Sequence, residues 1–201
     1  MYLYGASGHA KVIIEILESQ GVKIEGLFDD NESVKSLLQF PVQKFITSFI
    51  QNKELIISIG NNVIRRKIVA AIKAEYGIAI HPKSTISQRS FIGEGTVVMA
   101  GVTVNSGTQI GMHCIINTNA SVDHDCVLEN FVHISPNAAL CGDVHIDEGT
   151  HIGAGSIIIP GKRIGKWCTI GAGSVVIKDI PDYSIAIGNP CKIIKNSISV
   201  S

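Results

Sequence analysis

The stretch Ile92-Gly93-Glu94-Gly95-Thr96-Val97-Val98-Met99-Ala100-Gly101-Val102-Thr103-Val104-Asn105-Ser106-Gly107-Thr108-Gln109-Ile110 repeats itself every six residues. The period extends in both directions. From Ile80 through Ile86, Ile92, Val98, Val104 and Ile110 and on to Val176, every sixth residue is Ile, Val or Leu without a break. Four residues beyond each of these stands a small or β-branched residue, among them Thr96, Val102, Thr108, Cys114, Ala120, Cys126 and Val132. The one exception is Lys162, after Pro160-Gly161. Glycine often follows the aliphatic residue directly, as in Ile92-Gly93 and Ile170-Gly171.

A period of six fits neither a 3.6-residue helix nor an alternating strand pair. It fits a prism whose three faces each take one hexad, with the aliphatic residue on the axis, the smaller one beside it and glycines relieving the corners. Three hexads then make one coil, and coils stack at strand spacing, about 4.8 Å.

Residues 1–79 have a different texture. Tyr2-Leu3-Tyr4 reads as a strand running into Gly5-Ala6-Ser7-Gly8-His9, followed by a helix carrying Val12, Ile13, Ile16 and Leu17 and ending near Gly21. Lys23 to Phe28 reads as a second strand closing on Asp29-Asp30. Leu55 to Ile59 reads as a third, closing on Gly60-Asn61-Asn62 before a helix from about Val63. Such strand–helix–strand units form a small Rossmann-like parallel sheet, an α/β domain whose ligands bind beyond the carboxyl ends of the strands. The first loop offers backbone N–H groups and a helix N-terminus to a phosphate. The acidic end of the second strand is where a ribose or base hydroxyl is held. The organisation expected is therefore a nucleotide-binding domain over 1–79, a parallel β-helix over 80–180 and a loop-like tail over 181–201.

Composition narrows the function. The chain has 201 residues, 45% of them apolar and 17% charged, with a formal net charge of zero. No basic surplus exists to neutralise phosphates, so a nucleic-acid partner is not expected. No apolar run approaches a membrane span, and the first residues lack the charge and hydrophobicity of a signal peptide. Five cysteines without CxxC spacing read as reduced thiols, most of them core residues, in a cytoplasmic protein.

The polar residues with chemistry to offer cluster around Asp123-His124-Asp125. The hexad frame points Val122 and Cys126 inward and puts His124 outward. Gly142 lies eighteen residues on, one coil higher on the same side. A histidine with a glycine amide above it supplies a base beside an oxyanion donor, and Asp125 or Asp123 fixes the imidazole tautomer.

The order of these features resembles the bacterial nucleotide-sugar acetyltransferases: the Gly5–His9 loop, Asp29-Asp30, Ile59-Gly60-Asn61-Asn62, the hexads, His124-Asp125, then Pro181-Asp182-Tyr183-Ser184 and Gly188-Asn189-Pro190. Within them it is most similar to the N-acetyltransferases of the UDP-bacillosamine pathway and the related perosamine and sialic-acid enzymes. The resemblance implies a left-handed β-helix, a homotrimer with active sites between prisms, and acetyl-CoA as co-substrate. It implies His124 as catalytic base, Asp125 as its orienting acid (Glu in the bacillosamine enzyme) and Gly142 as oxyanion donor. Ser7, Gly8, His9, Asp29, Asp30 and Gly60 match nucleotide-sugar contacts, with a UDP-linked amino sugar favoured. His133, Ala154 and Ala172 match positions lining the acetyl-CoA groove, and Gly188 to Lys192 matches a loop near CoA, with Cys191 replacing Ala. O-acetylation of a sialic acid and a non-catalytic binding module are the rival readings. His133 and His151 are eighteen apart and stack, as in the zinc-binding β-helical carbonic anhydrases. Two stacked histidines are not three converging ones, so no metal is expected.

Overall fold

Each aliphatic position of the repeat closes a two-residue strand. The structure is a computed structural model that describes residues 1–50 and 53–196. The repeat strands run from β7 (Ala79–Ile80) to β23 (Val175–Val176), each ending on the Ile, Val or Leu of its hexad. Strands eighteen residues apart pair in parallel: Val97 and Val98 pair with Ile115 and Ile116, and those with His133 and Ile134. Every third strand thus joins one of three sheets. We call first face the one beginning at β7, second face the one beginning at Thr85–Ile86, and third face the one beginning at Phe91–Ile92.

The axis is filled as the spacing requires. Ile110, Ile116, Val122, Ile134, Ile146, Ile152, Ile158, Ile164 and Ile170 are fully buried, and Cys114, Ala120 and Cys126 fill the gaps beside them in one continuous core. Buried hydroxyls in the smaller set are satisfied by bridging coils. Thr108 Oγ1 donates to Asp123 O (2.6 Å) and accepts from Cys126 N (3.2 Å), as burial of a polar group demands.

The corners differ from expectation. The residue with positive φ stands three places after the aliphatic one: Gly95, Gly101 and Gly107 in early coils, Asn119, Asp125, Asn137 and Asp143 later. These types tolerate the left-handed region. The glycines directly after the aliphatic residue answer a different need. A Cβ on Gly93 would lie 2.7 Å from the Gly111 carbonyl carbon in the next coil, so close approach of coils, rather than backbone conformation, excludes a side chain there.

In the N-terminal domain, β1 (Tyr2–Tyr4), α1 (Gly8–Ser19) and β2 (Gly26–Phe28) form the expected unit. A hairpin follows, β3 (Ser36–Leu37) and β4 (Phe40–Gln43), then β5 (Glu54–Ile57), α2 (Asn62–Ala71) and β6 (Glu75–Tyr76). The sheet order is β3-β4-β2-β1-β5-β6, parallel except for the β3–β4 hairpin. The chain reverses direction of addition between β1 and β5, so their loops flank the crevice where such sheets bind ligands. Helix α1 packs on the first face, sharing a core with Ala79, Val97, Met99 and Ile115.

A buried Arg65 fastens the domains. Its Nε donates to His113 O (2.9 Å), Nη2 to Phe131 O (3.0 Å) and Asn62 Oδ1 (2.8 Å), and Nη1 to Ile59 O (2.9 Å) and Gly60 O (3.2 Å). Asn62 Nδ2 adds a bond to Gly149 O (3.0 Å). His113, Phe131 and Gly149 all belong to the corner between the third and first faces. His113, Phe131 and Trp167 carry positive φ there despite their bulk, a cost of roughly 1–2 kcal/mol each that packing offsets: His113 stacks on Phe131 (5.3 Å) and meets Tyr76 edge-on.

The segment expected as a loop-like tail instead caps the prism. β24 (Ser184–Ile187) pairs in parallel with Thr169–Ile170 of the first face, and β25 (Lys192–Asn196) returns antiparallel to β24. Ala186 continues the buried axis, which is why this stretch is a strand. Residues 197–201 of the expected tail lie outside the described residues.

Ile110→Ala removes a fully buried side chain from the axis and should lower unfolding free energy by about 2–5 kcal/mol. Its exposed neighbour Gln109→Ala should change it by less than about 0.5 kcal/mol. Urea denaturation followed by circular dichroism checks the pair, and equal losses would overturn the assigned facing.

Candidate active site

His124 and Asp125 occupy the corner between the second and third faces, and the coils above and below shape it. Thr108 grips the Asp123 carbonyl from the preceding coil. Asp123 Oδ1 accepts from the His124 backbone N–H (2.8 Å) and from Asn105 Nδ2 (2.7 Å) one coil below. Asp123 therefore fixes the turn, and Asp125 fixes the ring, its Oδ2 lying 2.8 Å from His124 Nδ1. The residue pattern left these two carboxylates interchangeable and only the resemblance named Asp125; the geometry separates their tasks.

Two glycines make room for the pair. A Cβ on Gly142 would sit 2.6 Å from His124 Cε1 and Nε2, so the imidazole lies directly against that glycine. A Cβ on Gly107 would collide with Asp125 Oδ1 from the coil below. With Nδ1–H given to Asp125, Nε2 is the basic nitrogen and faces Gly142. The Gly142 N–H has no acceptor among the described residues. Both side chains of the pair are exposed. The Asp125 hydrogen bond, then the charge of Asp123, raise the His124 pKa above its ordinary value.

The N-terminal loops build a second cluster, on the other side of the prism. Asp29 Oδ2 accepts from Ala6 N (2.7 Å) and Oδ1 from Asn31 N (2.8 Å), so this carboxylate ties the Gly5–His9 loop to the end of β2. Asp30 is exposed and hydrogen-bonds the Tyr4 hydroxyl. Ser7 is the N-cap of α1, but its side chain makes no capping bond. A Cβ on Gly8 or Gly60 would meet nothing within 4 Å, so both backbones border open space. A cleft of about 410 Å³ opens between the domains, lined by Gly60, Asn61, Asn62, His133, His151 and Trp167 among others.

His133 belongs to this cleft. It hydrogen-bonds the Gly60 backbone, takes the Asn117 amide at Nε2 (3.2 Å) and stacks on His151 at 4.7 Å. Burial, then the neighbouring His151 and Arg65, push its pKa down to about 3. Burial and Arg65 likewise bring His9, whose Nε2 has no partner, to about 4. Both rings are neutral at physiological pH. The sequence grouped His133 with Ala154 and Ala172; the fold separates them. Ala154 and Ala172 stack, exposed, at the corner between the first and second faces, where Gly173 N donates to Ala154 O (2.8 Å). A Cβ on the adjoining Gly155 or Gly173 would meet nothing within 4 Å, leaving a smooth strip.

One chain thus holds three pieces apart: the base at one corner, the small-residue strip at another, and the inter-domain cleft over the first face opposite the base. Arg65, Asn62, Asn117 and Trp167 were missed from sequence because they act through the domain interface. Asn105 and Gly107 stand eighteen residues before Asp123 and Asp125 and were legible in the repeat.

Residues 1–72 match the PglD N-terminal domain family. A variant of perosamine N-acetyltransferase from Caulobacter crescentus, solved with CoA and GDP-perosamine, has 37% sequence identity and a TM-score of 0.92 over 96% of this chain and 96% of that one. The acetyltransferase domain of PglB from Neisseria gonorrhoeae has 37% identity and a TM-score of 0.88 over 96% of this chain and 98% of that one. UDP-N-acetylbacillosamine N-acetyltransferase from Bacillus subtilis is 38% identical over 109 residues, 49% of this chain, and the match spans half of that relative's length (50%). No helix of the described residues is long and apolar enough to cross a membrane.

Asp125→Asn removes the largest influence raising the His124 pKa, so that pKa should fall toward the ordinary histidine value. Titration of the His124 ring by NMR checks this. A pKa unchanged by the substitution would mean that Asp125 does not hold the ring.

Proposed function

The chain belongs to the family of β-helical sugar N-acetyltransferases, and on that premise we propose that it moves the acetyl group of acetyl-CoA to the amine of a nucleotide-linked amino sugar. The observation that carries the reading is the His124–Asp125 pair seated against Gly142. His124 Nε2 accepts a proton from the sugar amine as the amine nitrogen attacks the thioester carbonyl. The Gly142 N–H donates to the oxyanion of the tetrahedral intermediate. When the C–S bond breaks, the His124 imidazolium returns the proton to the departing CoA sulfur. Cys126 is buried on the axis, so the reading needs no thiol nucleophile.

The inter-domain cleft is the acceptor site. The Gly8 and Gly60 backbones flank the nucleotide, Ser7, Asp30 and His9 supply polar contacts, and Asp29 holds the loop in shape. His133, neutral and fixed by Asn117 and Gly60, faces the sugar, which departs from its expected place beside CoA. The smooth strip at Ala154 and Ala172 fits the pantetheine arm, whose slender chain needs a groove without projecting side chains. A UDP-linked sugar is the favoured acceptor, supported by the Bacillus subtilis relative and the matching N-terminal domain.

Because cleft and base lie on opposite sides of one prism, the reading requires copies of the chain around an axis, as a homotrimer. The cleft of one chain then presents its sugar to His124 of another. The free cysteines fit a cytoplasmic setting.

His124→Ala should lower acceptor-dependent CoA release by about 10²–10⁴-fold, with nucleotide-sugar affinity unchanged by calorimetry. Gly60→Phe, which fills the cleft, should abolish acceptor binding. Co-assembly of the two inactive variants should restore activity that neither has alone. Near-full turnover by His124→Ala would sink the base assignment, and failure of the mixture would sink the shared site. A panel of UDP- and GDP-linked amino sugars, read by released CoA, identifies the nucleotide.

A further inference from the structure

The third face carries a cluster that the transfer chemistry does not use. Glu129, His145 and Asp147 come together because Glu129 and Asp147 are eighteen residues apart and His145 stands two before Asp147 in the same coil. One side-chain ligand atom from each lies within 4.8 Å of the others. His145 Nε2 is 3.0 Å from Asp147 Oδ1 and 3.6 Å from Glu129 Oε1. Two protein ligands on a tetrahedral zinc ion, at bond lengths of 2.0–2.2 Å, are separated by about 3.3 Å, a value these two distances bracket.

The second observation is burial without satisfaction. Asp147 is 2% exposed, and its Oδ1 has no hydrogen-bond partner; the buried His145 Nε2 has none either. Although 3.0 Å apart, these atoms do not meet in hydrogen-bond geometry. Each carboxylate is meanwhile anchored by its other oxygen. Asp147 Oδ2 accepts from Arg163 Nη2 (2.9 Å) and Nε (3.1 Å), and Glu129 Oε2 accepts from Glu148 N (3.1 Å). Outer partners of this kind hold first-shell ligands in orientation. The local charge also fits: two carboxylates against one guanidinium leave one negative charge around a histidine nitrogen.

We propose that Glu129, His145 and Asp147 form a binding site for one divalent transition-metal ion of the zinc class, which cross-links two coils of the third face. One imidazole nitrogen and two carboxylate oxygens suit zinc better than magnesium or calcium, which take oxygen ligands alone. The ion takes no part in acetyl transfer, and the proposal does not rest on the transferase reading.

The test uses the full chain, stripped with EDTA and titrated with ZnCl2 by calorimetry and by thermal melting. One zinc ion per chain should bind and raise the melting temperature. Glu129→Gln and His145→Gln should each weaken that binding at least tenfold and abolish the thermal shift, with Mg2+ at equal concentration causing none. Glu129 is half-exposed, so its variant keeps the fold, which circular dichroism verifies. Absence of saturable zinc binding would overturn the proposal. So would binding that both folded variants retain, or a shift produced by Mg2+ as readily as by Zn2+.

Discussion

A parallel backbone hydrogen-bond ladder, in which residues eighteen apart stand in register, sets the position of every group in the β-helix. Each coil hands its N–H and C=O groups to the next, and the ladder holds only while successive coils stay at strand spacing. That constraint dictates the side chains. The axis admits one aliphatic residue per face, and the gap beside it takes, from Ser84 to Ser174 and except at Lys162, something no larger than Val. The buried Thr96, Thr108, Thr150 and Ser156 hydroxyls placed there bridge coils. It also explains the glycines that follow the aliphatic residues, which are there because the neighbouring coil leaves no space for a Cβ.

The same ladder makes a side-chain cluster out of sequence-distant residues. Asn105, Asp123 and Gly107, Asp125 form two stacked pairs, and Gly142 closes the stack above His124. A base is thereby held between coils without a pocket around it. The Asp125 hydrogen bond, then its acidic neighbours, raise its proton affinity. His9 and His133 have the reverse environment, buried near a cationic Arg65, and are held neutral. Residues of one type are thus driven to opposite protonation behaviour by hydrogen bonding, desolvation and charge.

Arg65 joins the two halves at some expense. Burial brings its pKa down to about 10, so it stays charged, yet the acceptors it donates to are all neutral oxygens. Five donors in a planar fork reach the Ile59–Gly60 loop on one side and two corner carbonyls on the other. The loop bordering the cleft is thereby fixed to the β-helix, which ties the cleft's shape to the register of the coils.

The six-residue period by itself determined the axis, the pairing register and the stacking of Gly142 over His124, because a ladder with one strand per face converts sequence spacing directly into height and face. The β1–α1–β2 unit was equally legible from its strand, glycine loop and helix. Residues 36–43 and 184–196 were not, since short strands with little alternation acquire their pairing only from a neighbour already in place. Spacing left open which carboxylate orients His124, and the tertiary structure puts Asp125 on the ring, since Asp123 and Asp125 differ only in which way a left-handed corner turns them. It alone moved His133 into the inter-domain cleft, and it alone aimed Glu129, His145 and Asp147, which the repeat stacks on one face, at one another. Those outcomes depend on how side chains are aimed and what packs above them, and spacing along a chain carries neither.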